Sequence, residues 1–167
     1  MPLIKDKRLV QDQFVTVTDD DPIPDEGPVI VSLAHWQTDQ QRLIARGEPI
    51  GVRLKSDEHP EVIADDLENL DVVALEFPTF RDGRAYSYAR LLRERYGFEG
   101  ELRAVGDVLL EQLHFMDRVG FNAYEFESDD PERDFQIASE DFSVWYQPST
   151  DKRPTAVQLR HKLKRGD

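Results

Sequence analysis

The sequence predicts an α/β fold of about five mostly parallel strands alternating with helices, preceded by an N-terminal β-hairpin. Three observations predict it. Short apolar runs recur with amphipathic helical stretches between them, the pattern of right-handed βαβ units. Helix ends carry the residues they prefer: Pro60 suits a first turn, and Gly47, Gly97 and Gly120 each follow a last turn. The chain has 167 residues, enough for one domain with a sizeable core.

Taken in order, Leu3-Ile4 and Arg8-Leu9-Val10 flank a Lys5-Asp6-Lys7 break and predict a small hairpin, read as an appendage on the main sheet. Phe14-Val15-Thr16-Val17 follows. An acidic, Pro-rich linker then runs from Asp19 to Pro28. The regular part comes next, with strands predicted at Val29–Leu33, Ile50–Leu54, Asp71–Phe77, Glu101–Val105 and Ala123–Phe126. Helices are predicted at Thr38–Arg46, Pro60–Asn69, Ala85–Tyr96 and Asp107–Val119. In the third of these, Ala85, Tyr88, Ala89, Leu92 and Tyr96 share one face at helical spacing. Asp129-Asp130-Pro131 opens a short helix, Phe142–Tyr146 reads as a strand, and Thr155–Lys164 as a terminal helix. The resulting single domain has a hairpin (1–18), a linker (19–28), an α/β core (29–147) and a basic tail (148–167). Both a flavodoxin-like open sheet and a half-barrel with sequential strands satisfy the pattern.

Composition narrows the function classes. With no cysteine, disulfides, thiol redox chemistry, cysteine nucleophiles and Cys-type metal sites are excluded. No apolar run reaches the roughly 20 residues of a membrane span, and Met1–Asp6 lacks a signal peptide's apolar region. A soluble, cytoplasmic protein with no membrane partner is expected. The net charge of −13 argues against nucleic acid as a partner. That charge is uneven: residues 151–167 carry six Lys/Arg against two Asp, net +4, leaving −17 on the first 150. Such a tail either stays solvated or docks on the acidic body, on a sister subunit in a homo-oligomer, or on a partner.

Parallel sheets bind ligands at the carboxyl ends of their strands. The loops after the third and fourth core strands are the richest there. Asp82-Gly83 is a turn signal; Arg84 and Ser87 fall in the first helical turn; Asp107 sits where an N-cap belongs. Arg103 is a charge inside an apolar strand, and Arg84 with Arg103 would make a bidentate clamp for an oxyanion or carboxylate. The competing reading is a structural ion network with Asp82, Glu101 or Asp107. Gln112 lies on the following helix. Weaker candidates are His35 and His59, placed in strand-end loops as acid–base groups or ligands. Neither a His-x-x-x-His nor a Cys-based metal-ligand spacing occurs, and no metal is expected. The Gly-x-Gly-x-x-Gly, Gly-x-x-x-x-Gly-Lys-Ser/Thr and Gly-x-Ser-x-Gly fingerprints are all absent, so no cofactor is specified.

The stretch Phe77-Pro-Thr-Phe-Arg-Asp-Gly-Arg-Ala-Tyr-Ser-Tyr-Ala-Arg-Leu-Leu-Arg, with Gly100-Glu-Leu-Arg-Ala-Val-Gly-Asp-Val, Gln112 and Arg118-Val-Gly-Phe-Asn122, resembles the bacterial domain of unknown function 934 family. The resemblance spans residues ~3–147. One departure is Glu111, where the family pattern has Asp before the glutamine; an acid is kept. The family carries an oxidoreductase label and is associated with assimilatory sulfite reductase. The resemblance therefore implies an accessory role in reducing sulfite for cysteine synthesis, with sulfite reductase as partner. Its label further implies either docking of a reductase or a flavin bound without the usual fingerprint. On the resemblance, Asp82, Gly83, Arg84, Ser87, Arg103, Asp107 and Gln112 are the family-matching candidates for a ligand- or partner-binding face.

Overall fold

Among the described residues, eight strands form a single sheet in the order β2-β1-β8-β7-β6-β5-β4-β3. The computed structural model describes residues 1–140 and 143–165. The strands are β1 (Leu3–Lys5), β2 (Arg8–Val10), β3 (Val15–Thr16), β4 (Val29–Ser32), β5 (Ile50–Leu54), β6 (Val72–Phe77), β7 (Glu101–Gly106) and β8 (Ala123–Glu125). Strands β3 to β8 are parallel and adjacent in sequence order, which selects the half-barrel over the flavodoxin-like order. The sheet is larger and less parallel than predicted. The hairpin and β3 are the reason: β1 pairs antiparallel with both β2 and β8, so the hairpin extends the sheet instead of hanging from it, and β3 adds a parallel edge beside β4.

Helices α1 (Leu33–Ala45), α2 (Arg84–Arg90), α3 (Leu110–Val119), α4 (Pro131–Glu140) and α5 (Ala156–Arg165) connect or follow the strands. A 3-10 segment, Pro60–Asn69, links β5 to β6. Among the described residues, no helix is long and apolar enough to cross a membrane. Connections of one hand between sequential parallel strands put their helices on one face. The main core forms there, with Val29, Val31, Val52, Leu54, Val73, Leu75, Phe77, Leu102 and Tyr124 from the sheet. Trp36, Leu43, Ile63, Ala89, Leu92, Leu113, Met116 and Phe135 close it from the helical side. The alternate strand residues Ile30, Val72, Ala74 and Val105 form a second cluster on the other face, covered by Phe14.

Chain connectivity dictates the sheet's curvature. Strands β2 and β3 are its opposite edges, yet only residues 11–14 join them. Five Cα steps reach at most ~18 Å, whereas seven strand spacings in a flat sheet would separate the edges by roughly 34 Å. The sheet therefore curls into a half-barrel, and residues 11–14 form a strap across its open face. Phe14 packs onto the inner apolar cluster. Beside it, Asp12 accepts from Arg103 Nη1 and Nη2 at 2.7 and 3.1 Å.

Several elements differ locally from the sequence expectation. Helix α1 begins at Leu33 because the Ser32 hydroxyl accepts from the His35 N–H at 3.2 Å, ending β4 early. His35 is thus in a first helical turn, not a strand-end loop. Helix α2 passes into a π turn at Leu91–Arg95, with the Tyr96 N–H bonding the Leu91 carbonyl at 3.0 Å. Arg93, within that turn, is partly buried. Its guanidinium donates to the carbonyls of Gly120, Phe98 and Gly100 at 2.9, 2.6 and 2.9 Å. Helix α3 starts at Leu110, so Asp107 is not its cap. No strand forms over 143–146: Trp145 makes only an isolated bridge to Thr155, and Phe142 lies outside the described residues.

Candidate functional site

The carboxyl ends of β3 to β8 form one rim, and the loops leaving β5, β6 and β7 meet on it. Their geometry starts at Gly106, the last residue of β7. Its φ is +93°, and a Cβ there would sit 2.5 Å from the Phe77 carbonyl oxygen, so only glycine lets the two strand ends lie this close. The Asp107 N–H then bonds that carbonyl at 2.7 Å. Its carboxylate turns back to accept from the Phe80 N–H, also at 2.7 Å. Gln112, buried at the start of α3, accepts from the Leu109 N–H at 3.1 Å. Above it, burial pushes the Tyr86 hydroxyl up to about 12, against the opposing pull of Gln112.

From the other side, Arg84 secures the same loop. Its Nε and Nη2 donate to the two Asp82 oxygens at 3.0 and 2.6 Å, while Asp82 Oδ1 also accepts from the Arg84 N–H. These bonds hold the Asp82 carboxyl well below the usual range, with the Arg84 side chain as the largest cause. Arg84 Nη2 further donates to the Ser56 hydroxyl at 2.8 Å, joining the β6 loop to the β5 loop. Tyr88 bonds the Ser56 carbonyl and meets His59 edge to face at 5.3 Å. His59 itself caps the 3-10 segment, Nδ1 accepting from the Glu61 N–H at 3.2 Å. The loop 78–83 is thus fixed at both flanks, and at its tip Phe80 is 51% exposed.

The structure brings Asp82, Gly83, Arg84, Asp107 and Gln112 together around this loop, with Ser87 exposed one helical turn on. Arg103 has a separate set of partners. It is 1% exposed on the strap side of the sheet, bonded to Glu101 at 2.6 Å and Glu125 at 2.9 Å as well as to Asp12. Lys5 completes the cluster at 2.8 Å from Glu101. Arg84 and Arg103 each bind carboxylates of this chain.

One feature of the rim escaped the sequence reading. Thr16, Val17, Thr18, Asp19, Ser32, Arg53, Lys55 and Glu76 line a cleft of about 260 Å³ at the ends of β3 to β6. Arg53 Nε donates to Glu76 at 3.2 Å, and Lys55 Nζ to Asp19 at 3.3 Å. The Ser32 hydroxyl first and Lys55 second hold the Asp19 carboxyl below its ordinary value. The signal was present: Arg53 and Glu76 are charges at alternate positions of otherwise apolar strands, facing the same side as Ala74. Among the described residues, no group of three or more His, Asp or Glu is placed to hold a metal ion.

Comparison with known proteins adds one match. The model of a family described as a bacterial protein of unknown function (DUF934) matches residues 51–157, more than half of the chain. That span begins inside β5, takes in the whole loop network around Phe80, and ends in α5, beyond the core's expected end at residue 147. No curated protein matched.

Proposed function

The chain belongs to the bacterial DUF934 family, and from that premise we propose that it is an accessory protein of assimilatory sulfite reduction that works by docking a partner. The observation carrying this reading is Phe80. An aromatic side chain left half in water on a mobile loop can fold back into the core. On a loop fixed by Asp107 and Arg84 it stays presented, as an anchor for another protein's pocket does. The net charge of −13 supports encounter with a basic partner surface, the usual means by which weakly associating redox proteins meet. In this reading Arg84 shapes the loop, Arg103 ties the strap to the sheet, and sulfite reductase is the partner.

The test is binding of the purified protein to purified sulfite reductase, together with the reductase's sulfite turnover. Phe80→Ala is expected to weaken binding at least tenfold while leaving the melting temperature within about 1 °C, because the ring is largely outside the core. Absence of binding and of any effect on turnover removes the reading. Flavin absorbance in the purified protein would instead favour an oxidoreductase acting on its own cofactor.

A further inference from the structure

The cleft at the ends of β3 to β6 contains an arginine that the protein positions but does not saturate. Arg53 is engaged only through Nε, by Glu76 at 3.2 Å. Its two terminal nitrogens bond no described residue. In Arg103 and Arg84, by contrast, terminal nitrogens are tied to carboxylates or a hydroxyl. An arginine held at Nε with its outer fork open matches the two oxygens of a carboxylate. Its side chain is 37% exposed and that of Glu76 is 24% exposed, so both are reachable and partly shielded from water.

The cleft's charges balance, Arg53 and Lys55 against Glu76 and Asp19. A bare anion would add negative charge beside two carboxylates on a protein already at −13. A ligand carrying its own ammonium group would not. Glu76 uses only Oε2 on Arg53, so Oε1 can accept from such a group a few ångströms from the fork. Ser32 and Thr18 add hydroxyls at the wall, and Val17 an apolar surface. At about 260 Å³ the cleft lies just below the ~300–1,000 Å³ typical of drug-sized pockets. It suits a small metabolite and is too small for a nucleotide.

We propose that this cleft binds a free α-amino acid, its carboxylate on the outer fork of Arg53 and its ammonium on Glu76. This goes beyond the docking role and uses other residues, so either can fail without the other.

Titration calorimetry on the full-length protein with each proteinogenic L-amino acid tests it, with propionate, lactate and sulfate as probes lacking an ammonium group. At least one amino acid is expected to bind. Arg53→Met should weaken that binding on the order of tenfold or more, the worth of a charge-assisted pair of hydrogen bonds. Glu76→Gln should weaken amino-acid binding but not binding of propionate. Circular dichroism and the melting temperature confirm that each variant folds. Three results overturn the proposal: no amino acid binding at about 10 mM ligand, propionate or sulfate binding as tightly, or affinity unchanged in Arg53→Met.

Discussion

Arg103 shows how one side chain can read as a ligand group in sequence and serve the fold in space. A lone arginine in an apolar strand is an invitation to look for an anion, and this anion is Asp12, 91 residues away in the chain. No periodicity announces that partner, because it sits in the strap and meets β7 only once the sheet has curled. Burial opposes charge on Asp12, yet hydrogen bonds from Arg103 and the Phe14 N–H outweigh it and keep its pKa below the ordinary value. The stabilisation it gives is therefore present above about pH 4 and lost as pH falls through the folded value. Arg103→Met would leave Glu101, Glu125 and Asp12 facing one another. It is expected to destabilise the protein by about 3–5 kcal/mol at pH 8. The deficit should shrink below about pH 4, where Asp12 takes up a proton; urea unfolding at pH 8 and at about pH 3 checks it. Asp107 is a second such case. Its sequence position says helix cap, but its carboxylate fixes the neighbouring loop, a role visible only when β6 and β7 lie side by side.

Strand and helix identities were largely legible, since the apolar runs at 29–33, 50–54, 71–77, 101–105 and 123–126 all contain observed strands. Boundaries failed where two signals overlapped. Leu33 completes an apolar run and also opens α1, and the cap Ser32 lay hidden inside that run. Residues 143–146 failed for another reason. Trp145 looks like a strand residue, but its ring is used on α3: Nε1 donates to His114 Nε2 at 2.8 Å, with the rings stacked 10° from parallel. Arg118 and Arg153 lie 5.3 and 5.0 Å from its ring centre, tied in turn to Asp151 and Asp117. His114 must be neutral to accept this bond. Burial first, then Arg118 and Arg153, lower its pKa from the ordinary 6.5. The unfolded chain takes up a proton at higher pH than the folded one does. The contact's contribution is therefore complete above about pH 6.5 and declines as pH falls through the folded value. Trp145 fluorescence should change over that interval. His114→Phe should abolish the change, with Trp36, buried and bonded to Asp66, held constant in both proteins.

For the whole molecule, closure is set by a short connection. Residues 11–14 hold the two sheet edges near each other and supply both the apolar and the charged filling of the inner face. Removing both fillings by Asp12→Ala with Phe14→Ala should cost more than about 3 kcal/mol. It should also raise binding of a hydrophobic dye while leaving the far-ultraviolet spectrum near native, measured by urea unfolding and dye fluorescence. The pairing of β1 with β8 has a consequence during synthesis. Leu3 finds its place opposite Glu125, so it leaves the ribosome on the order of 6–25 s before that neighbour at the usual 5–20 residues per second. Throughout that interval the hairpin has no sheet to join, and the strap has no Arg103 to grip. The N-terminal segment is thus made early and placed late. For that time its strand edges stay unpaired, open to a nascent-chain chaperone.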